Sequence, residues 1–475
     1  MPPPTLYLPQ MLIAEGQAHE NRPANENMGL LVDARGFVSG LATKDAVGPE
    51  TRVVNLHGRA LLPGLANAHS HTFQRLFRGR AEGRAAGGDT FWTWREQMYR
   101  AAGFVSPEDL YDVARATFLE MVCAGITAVG EFHYLHRDSA GDAYSEPNLL
   151  SYEVIAAAQS VGLRICLLRT GYFRAGFERE PHPGQRRFYE TPDEYLRNLE
   201  HLADAYADVE NVTVGAAPHS IRAVPLDEMK RIAEFARSRR IPLHMHISEQ
   251  VGENAACAAE YGATPVELIA EHGILSPATT LIHAIHLTEF EFAKVASEKT
   301  TICSCPTTER NLGDGIFPAE TAARLGIPVA FGTDSQAQID ILEDARQLEY
   351  HLRLRDQQRG ILDASARSDW ASREPIGSML LSAATSNGYA SLGLRGALAA
   401  GEPADFFTVD LNDLSILGVD AESLAAQAVF SLAKTAVREV AVQGRLILED
   451  GQHIDSDEIR GRYGKVQRRY QDATN

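Results

Sequence analysis

Eight short apolar runs, separated by segments of helical period, constrain what this chain can fold into more than any other feature of it. They lie at residues 61–66, 126–132, 164–168, 212–217, 242–246, 280–284, 301–304 and 327–332. Apolar residues in unbroken series suit strands buried on both faces, and the stretches between them have the length and period of crossover helices. Repeated strand–helix units build a parallel sheet, and eight of them can close into a barrel whose chemistry gathers on the loops at the C-terminal ends of the strands. The expected fold is therefore α/β, a (β/α)8 TIM-like barrel with its working residues at the ends of the runs.

The two ends of the chain read differently. Residues 6–62 mix short apolar runs (30–32, 53–56) with turn-rich pieces such as Asp33-Ala34-Arg35-Gly36, and the pattern returns at 404–409, 440–444 and 446–448. That is the signature of hairpins. The ends are expected to pair into one small β domain, 1–62 plus 398–475, beside a barrel of 63–397. A length of 475 residues accommodates both. The arginine-rich stretch 460–469 reads as a solvated helix face.

Composition narrows the partners. A formal net charge of −18 argues against nucleic acid or an anionic membrane surface as the main partner, and an anionic small molecule would need local arginines. No apolar run is long enough to span a bilayer and the first residues lack a leader pattern, so the chain is expected in the cytoplasm. The five cysteines are odd in number and sparse, which favours reduced thiols. Cys303 and Cys305 read as core or pocket-wall residues, not metal ligands.

Histidines and acids recur at the run ends. The first run leads into His69-Ser70-His71, the fifth into His244-Met245-His246-Ile247-Ser248-Glu249, the sixth into His283-Ala284-Ile285-His286 and the eighth into Thr333-Asp334-Ser335. Strand side chains repeat every second residue, so His69 and His71 share a face. His69, His71, His246 and Asp334 can hold a divalent ion with one position left for a water, which the ion acidifies towards a pKa of about 7. Glu249, just past a ligand, can carry protons from that water to a departing nitrogen. His283 can polarise the substrate or stabilise charge formed on attack, and Asp334 can share in moving protons. His244 and His286 read as structural histidines.

These residues resemble the amidohydrolase superfamily in its mononuclear deaminase branch. The resemblance implies a distorted barrel carrying a β-sandwich built from both termini. It also implies one divalent metal ion, zinc, because binuclear members bridge two ions with a mid-barrel acid or carboxylated lysine, and this chain has no lysine between Lys44 and Lys230. Within that branch the chain is similar to the formimidoylglutamate deiminase family over most of its length. The segments that carry the similarity are 67–75 (NAHSHTFQR), 91–96 (FWTWRE), 127–134 (TAVGEFHY), 219–222 (HSIR), 246–250 (HISEQ) and 311–318 (NLGDGIFP).

The implied activity is that of a hydrolase of linear amidines in histidine breakdown. N-formimidoyl-L-glutamate would become N-formyl-L-glutamate and ammonia through attack of a metal-activated hydroxide on the C=N carbon. The resemblance assigns the substrate pocket to Gln74, Arg95, Tyr134, His219 and Arg222. The two arginines suit two carboxylates, and the neutral groups suit orientation of the remainder. An ion pair or stacking on tryptophan is the alternative use of Arg95. A homodimer is expected by analogy alone.

Two departures stand out. Gln336 occupies a position where related enzymes are expected to have histidine, and 303–310 (CSCPTTER) differs from the commoner small-residue run. Both are expected at the barrel mouth, where they would bear on specificity. The rival reading is another mononuclear deaminase, acting on a guanine-, adenosine- or cytosine-like ring or on another amidine. A ring-opening cyclic amidase and a non-catalytic barrel are more distant alternatives. Turn or surface roles are the expectation for Glu309 and Asp314, and 79–89 and 176–187 read as loops able to move.

Overall fold

The computed structural model describes residues 2–14, 16–20, 28–82, 91–365, 367–371 and 373–474. The N-terminal part supplies strands β1 (Thr5–Ala14), β2 (Gln17–Glu20), β3 (Met28–Val32), β4 (Val38–Thr43) and β5 (Arg52–Pro63). The barrel strands follow: β6 (Leu65–Ser70), β7 (Ile126–His133), β8 (Arg164–Gly171), β9 (Val212–Pro218), β10 (Leu243–Ile247), β11 (Thr279–His283), β12 (Thr301–Ser304) and β13 (Val329–Phe331). Strands β14 (Phe406–Asp410), β15 (Val437–Val442) and β16 (Arg445–Leu448) return to the first group.

Strands β6 to β13 pair in sequence order, all parallel, and every residue of β7 and β8 is buried. Helices cross between them, several opened by a Ser or Thr cap that exchanges hydrogen bonds with an acid three residues on, as in Ser106/Asp109, Thr191/Glu194 and Thr288/Glu291. The barrel is closed where β13 meets β6. Asp334 N donates to His69 O at 3.0 Å, and His71 N donates to Asp334 O at 3.0 Å. The seam therefore runs through three of the expected ligands. Gly332 makes this approach possible, since a Cβ there would lie 2.6 Å from His69 Cβ.

The terminal strands form one eight-stranded sheet, ordered β16-β15-β14-β5-β1-β3-β4 with β2 on β1. It curls so that Leu30 and Val38 from one arm share an apolar cluster with Phe406 and Ala441 from the other. Strand β5 runs straight on into the barrel through Gly64, whose N–H donates to Asp405 O at 2.9 Å. The first apolar run thus spans two strands, the end of β5 and the start of β6, because apolarity continues across the glycine.

The arginine-rich stretch is a helix face, on the helix Ser456–Thr474, and Arg462 pairs with Asp112 at 2.7 Å on the helix Pro107–Cys123. No helix among the described residues is long and apolar enough to cross a membrane. Of the two stretches read as loops able to move, residues 83–89 of the first, 79–89, lie outside the described residues, while in the second, 176–187, residues 178–183 are exposed and Gln185 and Arg187 are buried.

Candidate active site

One ligand atom from each of His69, His71, His246 and Asp334 falls within 4.8 Å of all the others. The chain brings them together from the ends of β6, β10 and β13. Several non-glycine residues there have left-handed backbone: Ser248 (φ 49°), His283 (67°), Ala284 (48°) and Asp334 (45°). Such backbone costs of order 1 kcal/mol or more per residue and persists only where surrounding structure holds it. Here it turns the strand ends sharply, so that the side chains converge.

The imidazoles are set up as ligands. Nδ1 of His71 lies 2.8 Å from Phe132 O and Nδ1 of His246 lies 3.1 Å from His219 O. A carbonyl can only accept, so each Nδ1 carries the proton and each Nε2 presents a lone pair. Burial holds all three rings neutral, with His69 pushed down to about 3. Neither nitrogen of fully buried His69 has a well-formed hydrogen bond, and Nε2 faces Asp334 Oδ1 at 3.4 Å. A buried imidazole without partners is costly unless something else takes its lone pair. Burial acts to raise the Asp334 carboxyl, but the contact with His69 and the more basic imidazole of His283 outweigh it and hold the group well below the usual carboxylate range. Three neutral imidazoles and one carboxylate fit a divalent ion.

His283 stands beside this group, Nε2 lying 3.6 Å from Asp334 Oδ2 and 3.9 Å from Glu249 Oε1. Burial alone would push the imidazole down, but Glu249, Glu309 and Asp334 raise it well above its ordinary range. Burial also raises Glu249 against the pull of His283 and Arg222. Both shifts run upwards, which sets a more basic imidazole beside a carboxyl of raised proton affinity.

Above these groups lies a cavity of about 520 Å³, mouth included, lined by Gln74, Arg95, Tyr134, His219 and Arg222 together with His71, His246, Glu249, His283 and Asp334. All five residues that the resemblance assigned to a pocket meet there. Gln74 Nε2 donates to Tyr134 Oη at 2.8 Å. Arg95 lies over the Tyr99 ring at 5.3 Å and donates to Tyr172 Oη at 2.8 Å. Sequence reasoning missed other lining residues: Trp94, Met98, Tyr172, Phe188 and Leu312. Trp94 and Leu312 sat in quoted motifs, whereas Tyr172 and Phe188 had no local signal.

Several expectations need correction. Gln336 is not at the barrel mouth. It is fully buried, donating to Ser70 Oγ at 2.9 Å and accepting from Thr333 Oγ1 at 2.8 Å, behind the ligands. Cys303 and Cys305 pack with Ala68, Ile282 and Ala330 inside the barrel, and ligand atoms of Cys305, His283 and Asp334 fall within 4.8 Å of one another, so the departure at 303–310 meets the site from behind and not at the mouth. Glu309 is no surface residue. Its carboxylate accepts from Cys305 N at 2.7 Å and faces His283 Nδ1 at 3.4 Å, which orients that ring. Asp314 is buried too, accepts from Gln250 Nε2, and is raised to about 8 by burial and by Glu249. Glu131, within the TAVGEFHY segment, accepts from Ser70 Oγ at 2.6 Å and Thr72 N at 2.8 Å, bracing the residues on either side of His71. His244 and His286 do bond to carbonyls, of Ser391 at 2.7 Å and Asp314 at 2.9 Å.

A closed barrel with a metal-binding set at its C-terminal mouth and a sheet made from both termini defines a class, and the sequence agrees. Residues 60–447 match the amidohydrolase family. The chain belongs to that family, and it is a metal-dependent hydrolase. Among particular relatives, it is 38% identical over 402 residues to formimidoylglutamate deiminase of Pseudomonas aeruginosa, spanning 84% of this chain and 87% of that one. It is 26% identical over 403 residues to a 5-methylthioadenosine/S-adenosylhomocysteine deaminase of Natronomonas pharaonis, 84% of each chain being covered. The crystal structure of an amidohydrolase from Brucella melitensis superposes with a TM-score of 0.88 at 31% identity, over 98% of this chain and all of that one.

Proposed function

We propose that the chain hydrolyses N-formimidoyl-L-glutamate to N-formyl-L-glutamate and ammonia. The observation that carries the reading is the presence of two arginines, Arg95 and Arg222, in the same cavity as the His69, His71, His246 and Asp334 group. An acyclic amidine with two carboxylates asks for fixed cations at one end of a pocket and a hydrolytic centre at the other. Planar guanidinium forks grip carboxylates with defined geometry. Tyr134, Gln74 and His219 orient the backbone of the substrate between the two ends. The 38% identity to a protein named for this reaction supports the same substrate.

The four ligands would hold one zinc ion, which when bound supplies an acidified water as nucleophile near neutral pH. Glu249 takes the first proton of that water and delivers it to the imino nitrogen as the formimidoyl carbon becomes tetrahedral. The charged imidazole of His283 donates to the developing negative charge, held in place by Glu309. Asp334 receives the second proton from the oxygen, which passes to the amino group as the C–N bond breaks. Water has then added its oxygen and both protons, giving the formamide and ammonia.

The rival is a nucleoside or nucleobase deaminase, and Tyr134, Tyr172 and Phe188 could face a planar ring. Such a ring carries no carboxylate for the planar guanidinium forks to grip. The test is ammonia release by the zinc-loaded protein from N-formimidoyl-L-glutamate beside guanine, adenosine and N-formimidoyl-L-aspartate, with products identified by mass spectrometry. N-formylglutamate as the preferred product is expected. Turnover of a purine with none of the amidine would overturn the proposal.

A further inference from the structure

We infer that Tyr172, resting on the substrate proposed above, is a third carboxylate-binding residue that gives its hydroxyl proton to the same end of the substrate as Arg95. The argument is a count of hydrogen-bond positions. Gln185 Oε1 accepts from the backbone N–H of His182 at 3.1 Å, which fixes the orientation of its amide. Its Nε2 must then be the donor, giving one hydrogen to Tyr99 Oη at 2.9 Å and the other to Tyr172 Oη at 3.0 Å. Arg95 Nη2 also donates to Tyr172 Oη, at 2.8 Å, and a guanidinium can do nothing else. Two donors therefore occupy the acceptor positions of the phenol oxygen.

Among the described residues none accepts its own proton, on a side chain that is 4% exposed and lines the cavity. A buried hydroxyl proton needs an acceptor, and the cavity is where one can arrive. The ring is held edge-on to His219, with centroids 4.6 Å apart, so it cannot swing away freely. A carboxylate gripped by Arg95 brings an oxygen to that proton. Gln185 is then a positioning residue. By donating, it forces Tyr172 to donate in turn, and the pocket selects an anionic acceptor there.

The test is a substrate-against-variant cycle with Tyr172→Phe, which removes one atom. Wild type and variant are compared on N-formimidoyl-L-glutamate and on two analogues with one carboxylate each, N-formimidoyl-γ-aminobutyrate and N-formimidoyl-L-norvaline. The expected result is a loss of about ten- to hundredfold in kcat/KM on the dicarboxylate, mostly through KM, the scale of one hydrogen bond to a charged group. The loss should vanish on the analogue that lacks the carboxylate held at Arg95. An equal loss on all three compounds, or none on any, overturns the inference, since it would make Tyr172 a packing residue. A wild-type protein inert on all three overturns the proposed substrate and this assignment with it. Thermal melting of Tyr172→Phe close to wild type excludes misfolding as the cause, and Gln185→Leu should lose affinity in the same direction.

Discussion

Glu249 illustrates how much chemistry one residue draws from its surroundings. It follows Ser248, whose left-handed backbone turns the end of β10, and its carboxyl is buried between His283 and Arg222. Burial raises its proton affinity and the two cations restrain that rise, which suits a group that must both take and give a proton. Glu249→Gln keeps the shape and removes the base. We expect kcat to fall by about 10²- to 10⁴-fold, the usual worth of general acid–base catalysis, with zinc content unchanged by elemental analysis. Near-normal turnover with metal bound would show that another group moves the proton. The residues that could be read from sequence were those whose chemistry is local, an H-x-H at a strand end or an acid just past a ligand. Glu309, Glu131 and Gln185 could not be read, because each owes its role to partners that the fold, not the sequence interval, brings near.

At the scale of elements, the wall that carries Gln185 and Phe188 is fixed to β8 by a buried ion pair. Arg169 donates to Glu190 at 2.5 and 3.0 Å, Asn198 donates to the same carboxylate at 2.6 Å, and Arg169 Nε reaches Asn148 Oδ1 at 2.8 Å. Burial would raise the Glu190 carboxyl, but Arg169 and His136 hold it at about 2, from an ordinary 4.5. The folded value lies below the unfolded one, so the stabilisation is complete above about pH 4.5 and is lost as the pH falls towards 2. Glu190→Gln should therefore cost about 3 kcal/mol at neutral pH, the scale of a broken buried pair. The stability curves of variant and wild type should converge below pH 4.5. Denaturant melts across that range check it, and parallel curves would mean that Glu190 gains nothing from its partners. Strand boundaries show the same contrast between local and distant information. The run at 301–304 coincides with β12, since a short apolar stretch between helices has one reading. The run at 61–66 does not separate β5 from β6, because only the tertiary contact at Gly64 marks the break.

For the whole molecule, the question is how the sheet made from both termini and the barrel hold one another. Asp405, buried at the start of β14, joins them. Its Oδ2 accepts from Arg164 Nη1 at 2.6 Å, at the N-terminal end of β8, and from Tyr389 Oη at 3.0 Å, while Oδ1 accepts from Gln443 N at 2.8 Å. Tyr389 in turn meets Thr127 of β7 at 2.5 Å. The carboxylate therefore ties β8, and β7 through Tyr389, to the start of β14 and the turn between β15 and β16, at the face opposite the active site. Removing it leaves the Arg164 guanidinium buried without its counter-charge, a loss of about 3–5 kcal/mol. Unfolding entropy scales with length, so for a chain of this size that is a fall of only about 3–5 °C in Tm. Asp405→Ala should show that fall with kcat and KM of the folded enzyme unchanged, because the metal ligands lie at the other end of the strands. Combining it with Arg164→Met should recover part of the loss, since an apolar side chain of similar length needs no partner in that space. If the two losses instead add in full, the pair does not couple the sheet to the barrel, and the continuous run of β5 through Gly64 into β6 must do so alone.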